Sequence, residues 1–137
     1  MITLPPDYRP SESEEFMSPL QQEYFRQKLL RWRQDLLREA GDTLASLSKG
    51  GISEADLTDR ASVETDRALE LRTRDRARKL ISKIDQALER IANGSYGYCD
   101  ETGEPIGLRR LEARPIATMS IEAQERHERM ERVHRDD

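Results

Sequence analysis

Apolar residues at Phe25, Leu29, Trp32, Leu36, Ala40, Leu44 and Leu47 recur at intervals of four and three. That spacing is a stripe one helix-face wide, and it predicts a long amphipathic helix that needs a partner along its length. Ser18-Pro19-Leu20-Gln21 supplies its start: an N-cap serine, a proline at the first helical position and a glutamine at the capping-box position. Gly50-Gly51 is expected to stop it, and Ser53-Glu54-Ala55-Asp56 reads as a new capping signal, with Thr58 an alternative cap. A second helix is then expected from near Leu57 to Ala92, ending at Asn93-Gly94. Its stripe includes Val63, Leu69, Leu80, Ile84, Leu88 and Ile91, and thins between Leu71 and Leu80. Two long helices joined by a short glycine turn bury such stripes only by lying antiparallel. Roughly 30 residues at 1.5 Å each make an arm of about 45 Å, with its tip at residues 50–59.

Composition supports an extended molecule. Of 137 residues 35% are hydrophobic and 36% charged, which is too little apolar material to wrap the whole chain around one core. The expected fold is mainly α: a coiled-coil hairpin over residues 17–94, a small globular part over 95–119 and a C-terminal helix over 120–137. Residues 1–16 combine prolines with Asp7, Glu12, Glu14 and Glu15 and read as a flexible N-terminal arm. No run of 18 apolar residues and no secretory signal pattern is present, so the chain is expected to be cytoplasmic and to have no membrane partner. The single cysteine, Cys99, excludes an intrachain disulfide framework, and 23 basic against 27 acidic residues argue against coating DNA by net charge.

Three clusters carry chemistry. From Glu54 to Glu70 the chain holds six acids and two arginines, with Asp56 and Asp59 at the expected tip. Carboxylates at a helix N-terminus are stabilised by the dipole, about 0.3–1 kcal/mol each, which explains them as caps. At the apex of a long arm they are also placed to enter a narrow site that contains cations. Further along, Arg72, Arg74, Arg76, Arg78, Lys79 and Lys83 are opposed by Asp75 alone, and Arg26, Lys28, Arg31 and Arg33 lie across the hairpin. Like-charge pairs four apart cost about 0.2–0.5 kcal/mol each, so this collar is either a solvated face or a strip that an external anion would relieve.

The third cluster surrounds Cys99. Cys99, Thr102, Ser120 and Ala123 fall at the spacing of a Cys-x2-Cys, seventeen residues, Cys-x2-Cys zinc ribbon, but only one of the four is cysteine. A thiol, two hydroxyls and an alanine cannot close a tetrahedral structural zinc site, although His127 or His134 could in principle approach; no zinc is expected. No nucleophile, base and orienting group are grouped, and the glycines fit neither a Walker nor a dinucleotide pattern; no enzyme activity is expected.

Asp56-Leu57-Thr58-Asp59-Arg60-Ala61, Leu69-Glu70-Leu71-Arg72-Thr73-Arg74-Asp75-Arg76, Gly97-Tyr98-Cys99 and Ile106-Gly107-Leu108-Arg109-Arg110-Leu111-Glu112-Ala113-Arg114-Pro115 together resemble the DksA/TraR family of bacterial RNA polymerase-binding transcription factors. The resemblance spans residues 16 to 130. It implies that the coiled coil enters the secondary channel of RNA polymerase, with Asp56, Asp59 and Ala61 at the tip near the active site. It further implies modulation of promoter open complexes together with the alarmone ppGpp, a co-regulator contacted at positions matching Arg76, Leu80, Lys83 and Arg114. One more basic position of the family is Gln124 here, a departure that bears on the strength of the ppGpp response. The family's zinc site is not intact, so the small globular part is expected to hold by packing of Tyr98, Ile106, Leu108, Leu111, Ile116 and Ile121. The implied factor is a monomer without sequence-specific DNA binding. The alternatives are a Gre-like transcript cleavage factor, which would need a larger second domain than the 43 or so residues after Gly94, and a helical nucleic-acid-binding protein, which the acidic tip would oppose.

Overall fold

The computed structural model describes residues 2–53 and 60–136. Its elements in chain order are α1 (Pro19–Ser53), α2 (Arg60–Asn93), α3 (Leu108–Ala113) and α4 (Ile121–Asp136). The chain divides into two compact units, Leu30–Asp85 and the pair of segments Met1–Leu29 with Gln86–Asp137. Helices α1 and α2 contribute to both.

In the unit Leu30–Asp85 the two helices are antiparallel. Arg33 bonds Asp85 at 2.9 Å; Leu36, Ala40 and Thr43 share a groove with Thr73, Arg76 and Ala77; Leu44, Leu47 and Ser48 share one with Val63, Asp66, Arg67, Glu70 and Arg74. Numbers rise on one helix as they fall on the other. The seam on α2 passes through Asp66, Glu70, Thr73, Ala77, Leu80 and Ile84, at intervals of four and three, and all six are partly or fully buried. Thr73 and Ala77 therefore fill the stretch where the apolar stripe thinned. Leu69, expected in the stripe, falls out of this phase and is exposed, as is Leu71; Val63 keeps the phase but stays about half exposed. A two-helix seam covers only a narrow strip, so apolar residues one position off it face water.

Helix α1 does not stop at Gly50-Gly51 as expected; it continues to Ser53. A glycine inside a helix costs about 1 kcal/mol relative to alanine, a penalty that does not by itself end the helix.

The other unit begins with a packed segment rather than the loose arm expected of residues 1–16. The Tyr8 hydroxyl donates to Glu14 at 2.7 Å and its ring meets Tyr24 edge-on. Ser18 caps α1 through its Oγ, which accepts from Gln21 N–H. Gln21 is fully buried; its side chain accepts from Met17 N–H at 2.8 Å and donates to the Ser11 carbonyl. Paired in this way, a buried amide stabilises the fold instead of costing desolvation, and so the acidic, proline-rich segment is held without a large apolar surface. The core contains Phe25, Leu29, Ala87, Ile91, Tyr96, Cys99, Leu108, Leu111, Ala117 and Ala123. Burying each large apolar side chain stabilises by about 1.5–3 kcal/mol. Of the expected packing residues, Leu108 and Leu111 are buried and Ile106 and Ile116 partly so, whereas Tyr98 and Ile121 are exposed. Ala123, two positions beyond Ile121 and so on a different face of α4, is the residue turned inward.

Helix α2 ends as expected at Asn93-Gly94. Gly94 has φ 85°, and the N–H groups of Ser95 and Tyr96 both return to the Arg90 carbonyl. A small loop follows, closed by Ile106 N–H to Gly97, Cys99 N–H to Glu104 and the isolated bridge between Tyr98 and Pro105. Asp100 N–H ties it to Thr118. The short helix α3 follows this loop, within the stretch expected only as a small globular part.

Candidate functional site

On α2, Arg76, Leu80 and Lys83 stand at intervals of four and three and so share one helix face. Arg76 and Lys83 are exposed, while Leu80 is partly buried along the seam. Among the described residues Arg72, Arg76, Arg78, Lys79 and Lys83 form no ion pair; Arg74 alone of the strip is paired, with Glu70 at 2.8 Å. The α1 side of the expected collar behaves differently. Arg26 pairs with Glu23, Arg33 with Asp85 and Lys28 with Glu112, so three of its four named cations are already satisfied within the chain. The unpaired positive charge thus lies mostly on α2, where like charges repeat every turn and, among the described residues, only Arg74 of the strip is paired.

Arg114 is the C-cap of α3 and is exposed. Its N–H donates to the Arg110 carbonyl at 2.7 Å and its carbonyl accepts from Ala117 N–H at 3.0 Å. Gln124 lies in the first turn of α4, its side-chain amide donating to Glu128. Asp56 and Asp59 lie outside the described residues. Ala61 belongs to the first turn of α2, its side chain outside them too.

The four ribbon positions are joined by hydrogen bonds. Burial pushes the Cys99 thiol up, but hydrogen bonds from the Thr102 hydroxyl and from the N–H groups of Ser120, Thr102 and Glu101 outweigh it and bring the pKa down to about 6. The Thr102 Oγ1 also accepts from Glu104 N–H, and the Ser120 Oγ accepts from Ala123 N–H, capping α4. Ala123 presents a methyl group and is wholly buried. One thiolate, two hydroxyls engaged in turns and caps, and a methyl do not fit a zinc ion, which takes four thiolate or imidazole donors in a structural site. His127, the nearest substitute in sequence, pairs with Glu101 at 3.2 Å, and no cluster of three or more His, Cys, Asp or Glu suited to a metal occurs among the described residues.

One network escaped the sequence. Lys28 reaches Glu112, 84 residues away, with Tyr24 donating to the same carboxylate. A pair so distant leaves no local periodicity, and α3, which carries Glu112, is only six residues long.

Comparison with known proteins agrees with this architecture. Residues 21–91 match the family model "DnaK suppressor protein DksA, N-terminal domain", and residues 94–129 match "Prokaryotic dksA/traR C4-type zinc finger". This chain belongs to the DksA/TraR family. It is 72% identical to the RNA polymerase-binding transcription factor DksA of Caulobacter vibrioides (strain NA1000 / CB15N), over 96% of this chain and 92% of that protein. Identity to the factor of the same name from Escherichia coli (strain K12) is 41%, over 84% and 76%. The solved structure of transcription factor DksA2 from Pseudomonas aeruginosa is similar with a TM-score of 0.79 and 48% identity, covering 90% of this chain and 94% of that one. The family is one of transcription factors, and its second domain is described as a C4-type zinc finger; this member has a single cysteine, Cys99. No helix among the described residues is long and apolar enough to cross a membrane.

Proposed function

We propose that this chain binds bacterial RNA polymerase through its secondary channel and modulates promoter open complexes together with ppGpp. The tip of the hairpin, with Asp56, Asp59 and Ala61, is directed at the polymerase active site. Arg76, Leu80, Lys83 and Arg114 contact the alarmone once polymerase is bound. The observation that carries this reading is the unpaired cationic face of α2, with Arg76 and Lys83 in register on one side of an antiparallel hairpin. Such a face repels itself in the free protein and is relieved by an anion of high charge density, for which charge-assisted bonds from Arg and Lys are the strongest available. The chain acts as a monomeric cytoplasmic regulator, has no catalytic activity of its own and needs no zinc.

In vitro transcription from a ribosomal promoter, with and without ppGpp, tests the reading. The expected result is inhibition that ppGpp deepens. Asp59→Asn keeps shape and hydrogen-bonding capacity while removing charge, so polymerase binding should persist and inhibition should be lost. An Asn variant as inhibitory as the parent overturns the role of the tip, and cleavage of arrested transcripts by the parent would favour a Gre-like activity.

A further inference from the structure

Arg114 sits between two carbonyls that are each gripped by a distant side chain. On one side, the Lys28 ammonium on α1 donates to the Glu112 main-chain carbonyl at 2.9 Å and to its carboxylate at 2.6 Å. The Tyr24 hydroxyl donates to that same carboxylate oxygen at 3.1 Å, and the ammonium stands 5.9 Å from the centre of the Tyr24 ring. On the other side, the buried Tyr96 hydroxyl donates to the Pro115 carbonyl at 2.8 Å. Between these points Arg114 is the sole exposed cation. Its own N–H and C=O are bonded to Arg110 and Ala117, and among the described residues its guanidinium has no ion-pair partner.

A segment that leaves a helix and enters an X-Pro bond would ordinarily sample several backbone states. Here four hydrogen bonds within four residues remove that freedom, while the side chain is left unpaired. A rigid backbone under a free guanidinium lowers the ordering cost of binding an anion. Lys28 also neutralises Glu112, whose carboxylate would otherwise stand two residues from Arg114 and weaken its pull on an anion.

We infer that Lys28 and Tyr96 are positioning residues for Arg114: by gripping the carbonyls of Glu112 and Pro115 they fix the arginine that takes up the phosphates of the nucleotide co-regulator. This rests on the alarmone reading given under Proposed function and adds to it the residues that set its sensitivity. Neither residue touches the nucleotide. Lys28 is withdrawn from the α1 side of the collar by its bonds to Glu112, and Tyr96 is buried.

The test is inhibition of a ribosomal promoter by the full chain with purified polymerase, over a titration of ppGpp, with thermal melts as a check on folding. Lys28→Met removes the ammonium and keeps the stem; Tyr96→Phe removes one hydroxyl. Each is expected to raise the ppGpp concentration for half-maximal effect by about 3- to 10-fold while leaving inhibition without ppGpp unchanged. Lys28→Arg, which restores donors to Glu112, is expected to recover most of the parental response. In an Arg114→Ala background Lys28→Met should add nothing. Four outcomes overturn the inference. One is parental ppGpp sensitivity in both single variants when Arg114→Ala alone has lost it. Another is an equal loss of inhibition with and without ppGpp, which assigns the pair to folding. A third is a Lys28→Met shift that persists undiminished in the Arg114→Ala background, which means it acts elsewhere. Finally, a silent Arg114→Ala removes the alarmone contact itself, and the fault then lies with the underlying reading rather than with the grip on it.

Discussion

At the scale of single residues, the packing of the unit built from Met1–Leu29 and Gln86–Asp137 depends on Gly97. Its φ of 92° is one that L side chains rarely adopt, and a Cβ there would lie 3.0 Å from Met17 Cγ and 3.3 Å from Phe16 Cε2. Gly94 has a similar φ of 85° but open space around it. Gly94→Ala should therefore cost the backbone strain alone, about 1–2 kcal/mol, and Gly97→Ala should cost more because Met17 must also move. Thermal melts of the two variants check the order; equal losses would mean that Met17 yields freely. The Cys99 thiol makes a second residue-scale prediction. Its pKa is held at about 6, against an ordinary 9.0 in the unfolded chain. Between these values the unfolded chain binds the extra proton, so stability rises with pH across that window, is complete above about 9 and is lost below about 6. The slope is at most about 1.4 kcal/mol per pH unit. Urea midpoints measured from about pH 6 to about pH 9 should show the rise in the parent and not in Cys99→Ser.

At the scale of elements, the α2 strip leads to a prediction opposite in sign to the usual effect of truncating a charged side chain. Lys83 stands four residues from Lys79, is exposed and has no ion pair among the described residues, so Lys83→Ala should leave the stability measured by thermal melts unchanged or raise it slightly, by a few tenths of a kcal/mol. The deepening of promoter inhibition by ppGpp should fall in the same variant. A stabilised variant with full ppGpp response would make the strip a solvated face. The elements themselves were written in the sequence to different degrees. The start of α1 at Ser18-Pro19 and the end of α2 at Asn93-Gly94 were legible because capping chemistry is local. Gly50-Gly51 misled, since glycine weakens a helix without forbidding it. Leu69 misled because apolar identity was read without phase: the seam runs through Glu70, Thr73 and Ala77, whose partial burial comes from register and not from hydrophobicity. Helix α3 was missed because six residues carry barely two turns of pattern. Its tether, Lys28 to Glu112, depends on two stretches 84 residues apart, and Lys28 read locally looked like one more member of the collar.

At the scale of the whole molecule, the decisive fact is that one compact unit is assembled from residues 1–29 and 86–137. A small ribbon normally depends on its metal, whose binding supplies apparent free energies of about 10–16 kcal/mol in zinc-finger peptides. Here the corresponding loop is held by other means. Met17 and Phe16 close on Gly97, the Phe16 and Tyr98 rings meet edge-on at 5.5 Å, and Leu111 and Ala123 are completely buried. The N-terminal segment therefore carries part of the burden that the missing thiolates would carry, and the ribbon's stability should respond to that segment and not to zinc. Removing residues 1–17 should lower the melting temperature by several degrees or more, a loss of at least about 1–2 kcal/mol given the buried Met17 and the bonds of Gln21 that it breaks. Treating the intact chain with a strong chelator should leave its melting curve and its promoter inhibition unchanged, and elemental analysis should find well under one zinc per chain. Peroxide should give at most a capped thiol at Cys99 or a dimer between chains, since no second cysteine exists to resolve it. Stoichiometric zinc together with unfolding in the chelator would reverse this assignment, making His127 and the acids beside Cys99 ligands in place of the absent cysteines.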